Sequence, residues 1–201
     1  NFIEHYEISF MIVFIVLVTL LILYIVYENH TRNKELLKYA QTDALTGLYN
    51  KETTEQLTDE LLSEDENKSH AFLILDVDCF KQINDIYGHA VGDIVLQKFG
   101  KLLKGTFREG DILGRIGGDE FGVIMKNIQT KDIAMKKAGE LLAKTQAYKI
   151  DELKGNNISI SIGISTAPQD GDCYMDLYKR ADQALYQAKR SGKARVCNYF
   201  S

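Results

Sequence analysis

Residues 111–125 read DILGRIGGDEFGVIM, in which the tetrapeptide GGDE separates two apolar runs. This pattern predicts a β-hairpin, because Gly117 and Gly118 permit the positive φ angles of a tight turn and allow a ligand to approach the backbone. The adjacent carboxylates of Asp119 and Glu120 repel each other unless a cation lies between them. Taken alone, the motif leaves two interpretations open: a solvated hairpin turn and a metal site.

An apolar segment near the start of the chain predicts a membrane anchor. The chain has 201 residues and a net charge of −4, yet residues 8–27 contain no charged side chain. A helix of about 20 residues spans about 30 Å, the thickness of the hydrocarbon core of a bilayer. The alternatives are a buried soluble helix and a cleavable signal peptide, whose apolar part is usually only about 7–15 residues long. We therefore expect one transmembrane helix over residues 8–27.

The flanking charges predict the orientation of this helix. Arg32, Lys34 and Lys38 follow it and no Lys or Arg precedes it, so its C-terminal side is expected in the cytoplasm. The prediction is a single-pass protein of the inner (cytoplasmic) membrane. Residues 1–7, which begin with Asn rather than Met, are interpreted as a truncated extracytoplasmic end.

Two further segments complete the predicted organisation. Residues 28–42 are charged, lack Pro and Gly, and predict a helical signalling linker. Residues 43–201 are long enough to form one domain with its own core.

Composition limits the partners of this domain. Cys79, Cys173 and Cys197 have no metal-type spacing and are expected to be reduced thiols. The mild acidity and the absence of a basic block argue against a polymeric nucleic acid as a partner.

The order of predicted elements indicates the fold class. Helices are predicted over residues 43–63, 92–104, 131–148 and 173–191, and strands over 71–76 and 157–165, in addition to the hairpin. Helices and strands alternate irregularly around that hairpin. We therefore predict an α+β fold, with a ferredoxin-like or palm-type central antiparallel sheet, surrounding helices and a preceding transmembrane helix.

A second acidic motif follows the strand predicted at 71–76. Asp76 closes this apolar strand, where an unpaired carboxylate would be costly. Together with Asp119 and Glu120 it could supply the hard oxygen ligands that hold Mg²⁺ against a nucleoside triphosphate. We interpret Asp78 and Asp85 more simply, as residues that cap a turn.

Several motifs together resemble those of the GGDEF-domain diguanylate cyclases. The resemblance covers almost all of residues 43–196, with the motifs in the expected order. It is carried by GGDEF at 117–121, DVDCFKQINDIYGHAVGD at 76–93, DALTGLYN at 43–50, ISISIGIS at 158–165 and ADQALYQAKRSGKARV at 181–196.

This resemblance implies a metal site and a nucleotide site. Mg²⁺, with Mn²⁺ as an alternative, would be held by Asp76, the carbonyl of Val77 and Asp119. The positions that would contact the substrate GTP are Cys79, Phe80, Lys81, Asn84, His89, Asp93, Gly117, Gly118, Lys189 and Lys193. The pairing of an amide at Asn84 with a carboxylate at Asp93 suits the hydrogen-bonding edge of guanine.

Two positions depart from the family pattern. Lys193 replaces the usual arginine beside the phosphate-contacting Lys189, which keeps the charge but loses the bidentate fork. Lys51 replaces an arginine that commonly follows Asn50, and the sequence alone does not indicate what this change does.

The implied reaction joins two GTP molecules into cyclic di-GMP with release of pyrophosphate. Asp119 and Glu120 are the implied catalytic residues, and the sequence does not separate a metal ligand from a base. One domain binds one GTP, so a two-fold homodimer is expected. The alternative is a catalytically inactive module that binds GTP or cyclic di-GMP.

A product site is also implied. Arg108 and Asp111 match the family's RxxD pattern, which binds cyclic di-GMP and inhibits the enzyme. Arg115 is expected to join them there.

Overall fold

The computed structural model describes residues 15, 17–29, 32, 40–64 and 68–199, and the chain divides into two units, Asn1–Ala40 and Gln41–Ser201. In the first unit, residues 17–29 are helical.

No helix in the described part of the chain has the length and apolar character needed to cross a membrane. The predicted inner-membrane location is therefore wrong, and the transmembrane helix predicted over residues 8–27 is not found among the described residues. Residues 8–14 and 16 of that segment, and most of the predicted linker at 28–42, lie outside the described residues.

Within its described residues, the second unit contains five named helices, five strands and one 3-10 turn. In chain order they are α1 (Lys51–Glu64), β1 (His70–Val77), α2 (Phe80–Tyr87), α3 (His89–Lys104), β2 (Ile112–Arg115), β3 (Glu120–Met125), α4 (Lys131–Ala147), the 3-10 turn (Asp151–Leu153), β4 (Ile160–Ala167), α5 (Tyr174–Arg190) and β5 (Val196–Asn198).

The strands form one mixed sheet in the order β2-β3-β1-β4-β5. The first four, β2, β3, β1 and β4, pair with one another in antiparallel fashion. Their βαββαβ chain order is that of a ferredoxin-like fold, as predicted. The sheet is not wholly antiparallel, because β5 pairs in parallel with β4. The sequence did not predict β5, since three residues after a long helix carry no readable alternation.

Helices cover both faces of this sheet. Phe99 of α3 and Leu141 of α4 are buried against one face, while Leu62 of α1 and Leu177 of α5 are buried against the other. All eight positions of β1 are buried, which is expected for a central strand with a helical layer on each side. The apolar run that predicted this strand therefore reflects burial of both its faces.

The helix predicted over 43–63 begins later than expected. Residues 43–50 are not helical, because the Asp43 carboxylate accepts hydrogen bonds from the backbone amide of Thr46 at 2.8 Å and from its hydroxyl at 2.6 Å. The Asn50 side chain then accepts a bond from the Thr53 amide at 2.9 Å and caps α1. Local side-chain bonds thus compete with the helix at its start.

Close contact between β4 and α5 depends on a glycine. A Cβ atom placed on Gly163 would lie 2.1 Å from the carbonyl oxygen of Ala181 and 2.4 Å from the amide nitrogen of Leu185. Both are backbone atoms and cannot rotate away. Gly163 therefore sets how closely α5 approaches the sheet.

We expect Gly163→Ala to lower the free energy of unfolding by about 3 kcal/mol, because the helix must move away from the sheet. The measurement is urea unfolding followed by circular dichroism. Gly139→Ala is the matched control, since no atom lies within 4 Å of its added Cβ. Gly139 lies within α4, so this control should raise stability by about 0.5–1 kcal/mol. Equal effects of the two substitutions would contradict the packing argument.

Candidate active site

The register of the central strands brings the two acidic motifs together. Asp76, near the end of β1, lies directly opposite Glu120, the first residue of β3. The amide of Val77 donates to the carbonyl of Asp119 at 3.2 Å, which extends the pairing into the GGDEF turn. The predicted meeting of the strand-end acid with the hairpin is therefore present.

A lysine from the far end of the domain compensates part of this negative charge. Lys189, in the last turn of α5, places its Nζ 2.7 Å from Oδ2 of Asp76, whose side chain is 10 % exposed. Burial raises the pKa of Asp76 above its ordinary value, against the opposing effect of Lys189. Burial, followed by the nearby charge of Asp76, also raises the pKa of Glu120.

The donor set fits a divalent cation. Asp76, Asp119 and Glu120 offer hard carboxylate oxygens. Burial, together with the charges of neighbouring carboxylates, raises the pKa values of Asp76 and Glu120, and a bound cation would oppose this effect. Among the described residues, Asp172, Cys173 and Asp176 form the group whose ligand atoms all lie within 4.8 Å of one another. The carboxylate oxygens of Asp76, Asp119 and Glu120 are not all within that distance.

The loop after β1 carries the residues predicted to contact phosphate. Cys79 has a φ of 59°, a left-handed conformation that turns the chain from β1 into α2. Lys193 donates from its Nζ to the Cys79 sulfur at 3.1 Å. This hydrogen bond raises the pKa of Lys193. Lys81 is exposed. Lys189 and Lys193 thus both lie at the end of the sheet where β1 stops.

Three of the residues predicted to contact GTP lie where α2 meets α3. Asn84 is half-buried, whereas His89 and Asp93 are exposed. A Cβ atom on Gly92 would lie 1.9 Å from Oδ1 of Asn84, so a glycine at this position leaves room for the Asn84 amide. Gly92 belongs to the motif at 76–93, which does not by itself indicate this steric role.

Two of the three predicted product-site residues lie together. Nε of Arg108 is 3.1 Å from Oδ1 of Asp111, whose side chain is 4 % exposed. Arg108 also donates to the carbonyl of Lys126, and the Lys126 amide donates to Asp111 at 3.1 Å. A groove beside them also contains Lys137, a cation that the sequence pattern did not indicate.

Arg115 lies elsewhere, which differs from the prediction. It ends β2 next to the GGDEF turn, whereas Arg108 and Asp111 precede this strand. Its guanidinium donates to the carbonyl of Gly118 at 2.7 Å and lies 3.1 Å from Oδ2 of Asp43. The structure therefore joins the motif at 43–50 to the GGDEF turn, and no spacing in the sequence indicates this link.

The chain is similar to known proteins over most of its length. A family model described as "Diguanylate cyclase, GGDEF domain" matches residues 40–195. Diguanylate cyclase A of Treponema denticola is 37% identical over 171 residues, which cover 82% of this chain and 46% of that protein. The chain spans about half the length of the first curated relatives that it matches.

Solved structures of the same kind share the fold. The GGDEF domain of TpbB (YfiN) from Pseudomonas aeruginosa has a TM-score of 0.75 at 33% identity, over 79% of this chain and 94% of that one. The GGDEF domain of DgcB from Caulobacter crescentus, solved in complex with c-di-GMP, has a TM-score of 0.74 at 26% identity, over 81% and 94% of the two chains.

The link between Asp43 and Arg115 can be tested by its pH dependence. Burial opposes ionisation of Asp43, but the hydrogen bonds from Thr46 and the charge of Arg115 outweigh it and lower the pKa of Asp43. A lowered pKa in the folded state stabilises the protein above the unfolded pKa of about 3.9, and this contribution is lost as the pH falls through the folded value. We expect Asp43→Asn to cost roughly 1 kcal/mol at pH 7, after allowance for solvent screening, and progressively less below about pH 4.

The measurement is the free energy of unfolding in urea between about pH 3 and pH 7. Glu109→Gln, which neutralises an exposed carboxylate, should leave stability within about 0.5 kcal/mol of native throughout. A difference between native protein and Asp43→Asn that grows as the pH falls has the wrong sign and refutes the argument.

Proposed function

The chain belongs to the family of GGDEF-domain diguanylate cyclases, and on that premise we propose that it joins two GTP molecules into cyclic di-GMP. Each 3′-hydroxyl attacks the α-phosphate of the other nucleotide, and two pyrophosphates leave. The observation that carries the proposal is the pairing of Asp76 with Glu120 at the end of the central strands, which places the GGDEF turn beside the strand-end acid.

A metal ion belongs to this proposal. Asp76, Asp119 and the Val77 carbonyl would hold Mg²⁺ or Mn²⁺, which supplies charge neutralisation for the triphosphate and makes the attacking hydroxyl more acidic. The residues of the chain do the positioning. Lys189 and Lys193 lie where they can contact phosphate oxygens, next to the loop that begins α2.

The rest of the site recognises the base and prepares the nucleophile. Asn84 and Asp93 border the junction of α2 and α3, where an amide and a carboxylate can pair with the guanine edge. Asp119 and Glu120 are the two carboxylates available to accept the proton of the 3′-hydroxyl. Since one site holds one GTP, the reaction requires two copies of the chain facing each other.

Product inhibition is the second part of the proposal. Arg108 and Asp111 lie before β2, and this strand separates them along the chain from the GGDEF turn. The exposed Arg108 guanidinium suits a phosphate, and Asp111 suits the N1–H and N2–H donors of a guanine. The DgcB domain that resembles this chain was solved with c-di-GMP bound, which supports a site for this ligand.

The central experiment incubates the full chain with GTP and Mg²⁺ and identifies products by chromatography and mass spectrometry. We expect cyclic di-GMP, formed at a rate per chain that rises with protein concentration because two copies must meet. Asp119→Ala should lower the rate at least about 100-fold with an unchanged unfolding transition, because it removes a metal-binding carboxylate. Asp172→Asn, an exposed acid of the cluster at the start of α5, should retain activity.

GTP binding by the native chain without any cyclic di-GMP at any protein concentration would overturn the enzyme proposal. That result would support the binding-module alternative.

The product site has its own test. Arg108→Ala should raise the inhibition constant of cyclic di-GMP at least about tenfold in initial-rate assays, because it removes a charge-assisted contact. The Arg108 side chain is 62 % exposed, so stability should change little. Arg180→Ala, which removes an arginine packed over the ring of Tyr199, is the control with unchanged inhibition. An unaltered inhibition constant in Arg108→Ala would show that the product binds elsewhere.

A further inference from the structure

Asp78 is a buried carboxylate whose hydrogen bonds join distant parts of the chain. Only 6 % of the residue is exposed, although it follows directly after β1. Its Oδ1 accepts from the Ser161 hydroxyl at 2.7 Å, and its Oδ2 accepts from the Ser159 hydroxyl at 2.5 Å and from the Ala194 amide at 3.1 Å. Two donors therefore come from the start of β4 and one from the segment after α5.

This pattern differs from that of a turn cap, the role expected for Asp78 from the sequence. A carboxylate that caps a turn accepts bonds from amides two or three residues further along the same loop. The donors to Asp78 lie 81, 83 and 116 residues away in the chain. The Asp78 side chain is therefore a junction between segments.

The segment that follows α5 adopts a conformation that needs such support. Lys193 has a φ of 61° and Ala194 a φ of 49°, both in the left-handed region. For residues with a Cβ atom this conformation costs roughly 1–2 kcal/mol each and persists only where surrounding contacts fix it. The Lys193 amide donates to Ala188 at 3.0 Å, which ends the helix, and the Ala194 amide donates to Asp78.

The consequence of this conformation is the position of one ammonium group. Lys193 directly precedes Ala194, whose amide donates to Asp78. The side chain of Lys193 reaches the loop after β1, where its Nζ lies 3.1 Å from the sulfur of Cys79. Lys193 is exposed, and no burial of its own side chain fixes it there. The hydrogen bond from Ala194 to Asp78 joins the backbone of the segment after α5 to the loop after β1.

We propose that Asp78 is a positioning residue for GTP binding: by holding the Ala194 amide, it fixes Lys193 over the loop that receives the triphosphate. This inference rests on the proposed function, because it assigns the Lys193 ammonium to the phosphates of GTP. The Asp78 carboxylate acts on GTP binding through the position of Lys193.

The test is a double-mutant cycle on nucleotide affinity, measured with 3′-deoxy-GTP, which binds without reacting. Asp78→Asn keeps the shape of the side chain, but its NH₂ group is a donor. It would face either the Ser161 hydroxyl or the Ser159 hydroxyl and Ala194 amide, which are donors to the native carboxylate. Asp78→Asn and Lys193→Met should each raise the dissociation constant about tenfold in the full chain. The double variant should bind no more weakly than the weaker single variant, because both remove the same contact.

Several controls make the result specific. Asp85→Asn makes the same charge change at an exposed position of α2 and should leave affinity unchanged. Hydrogen exchange should show faster exchange of the Ala194 amide in Asp78→Asn but not in Lys193→Met. In steady-state assays both single variants should raise KM for GTP while kcat stays within about threefold, which a general loss of folded protein would not produce.

Independent effects of the two substitutions, about 100-fold in the double variant, would refute the positioning role. Native affinity in Asp78→Asn would refute it as well. If Asp78→Asn does not fold, Ser159→Ala replaces it, since Ser159 is half-buried and leaves the carboxylate in place. Ser159→Ala alone should weaken binding about threefold. Combined with Lys193→Met it should weaken binding no further than Lys193→Met alone, and any other result overturns the proposal.

Failure of the proposed function gives a different result. A chain that makes no cyclic di-GMP but still shows coupled losses of 3′-deoxy-GTP affinity refutes the cyclase activity and keeps Asp78 as a positioning residue. A chain that makes cyclic di-GMP with uncoupled losses does the opposite.

Discussion

The pairing of β1 with both β3 and β4 is the constraint on which the rest of this domain depends. All eight residues of β1 are buried, so a shift of one residue would move every side chain to the opposite face and disrupt both cores. The same register fixes Asp76 opposite Glu120 on one side and opposite Ser161 on the other. The packing of apolar side chains therefore determines where the carboxylates of the candidate site lie.

Charge balance at this end of the sheet comes from the last part of the domain. Asp76 is paired with Lys189, and Asp78 receives the amide of Ala194. The burial that raises the pKa of Asp76 makes such partners necessary, because a buried carboxylate without a cation or donors is strongly destabilising. In this way α5 and the segment after it complete a site whose acids come from β1 and the hairpin.

The sequence allowed prediction of the elements that have strong periodicity and of the acids that end them. β1, the hairpin, the α+β class and the meeting of Asp76 with the GGDEF turn followed from apolar runs and glycines. The missed features depend on contacts between residues far apart in sequence. These are the parallel pairing of β5, the bond of Arg115 to Asp43 and the junction at Asp78. The late start of α1 has a local cause instead, the cap formed by Asn50 and Thr53. An exposed arginine and a half-buried one look identical in a sequence. So do a carboxylate that caps a turn and one that joins distant segments.

The ion pair of Asp76 with Lys189 spans 113 residues, and the bond of Asp78 to Ala194 spans 116. On a ribosome, which adds residues from the N-terminus onward, the acids of the site are synthesised long before the groups that neutralise them. A nascent chain that ends before α5 carries the GGDEF turn and the residues proposed to bind guanine, but it lacks Lys189 and Lys193. The candidate site therefore gains these two lysines only after α5 and the segment that follows it have been synthesised.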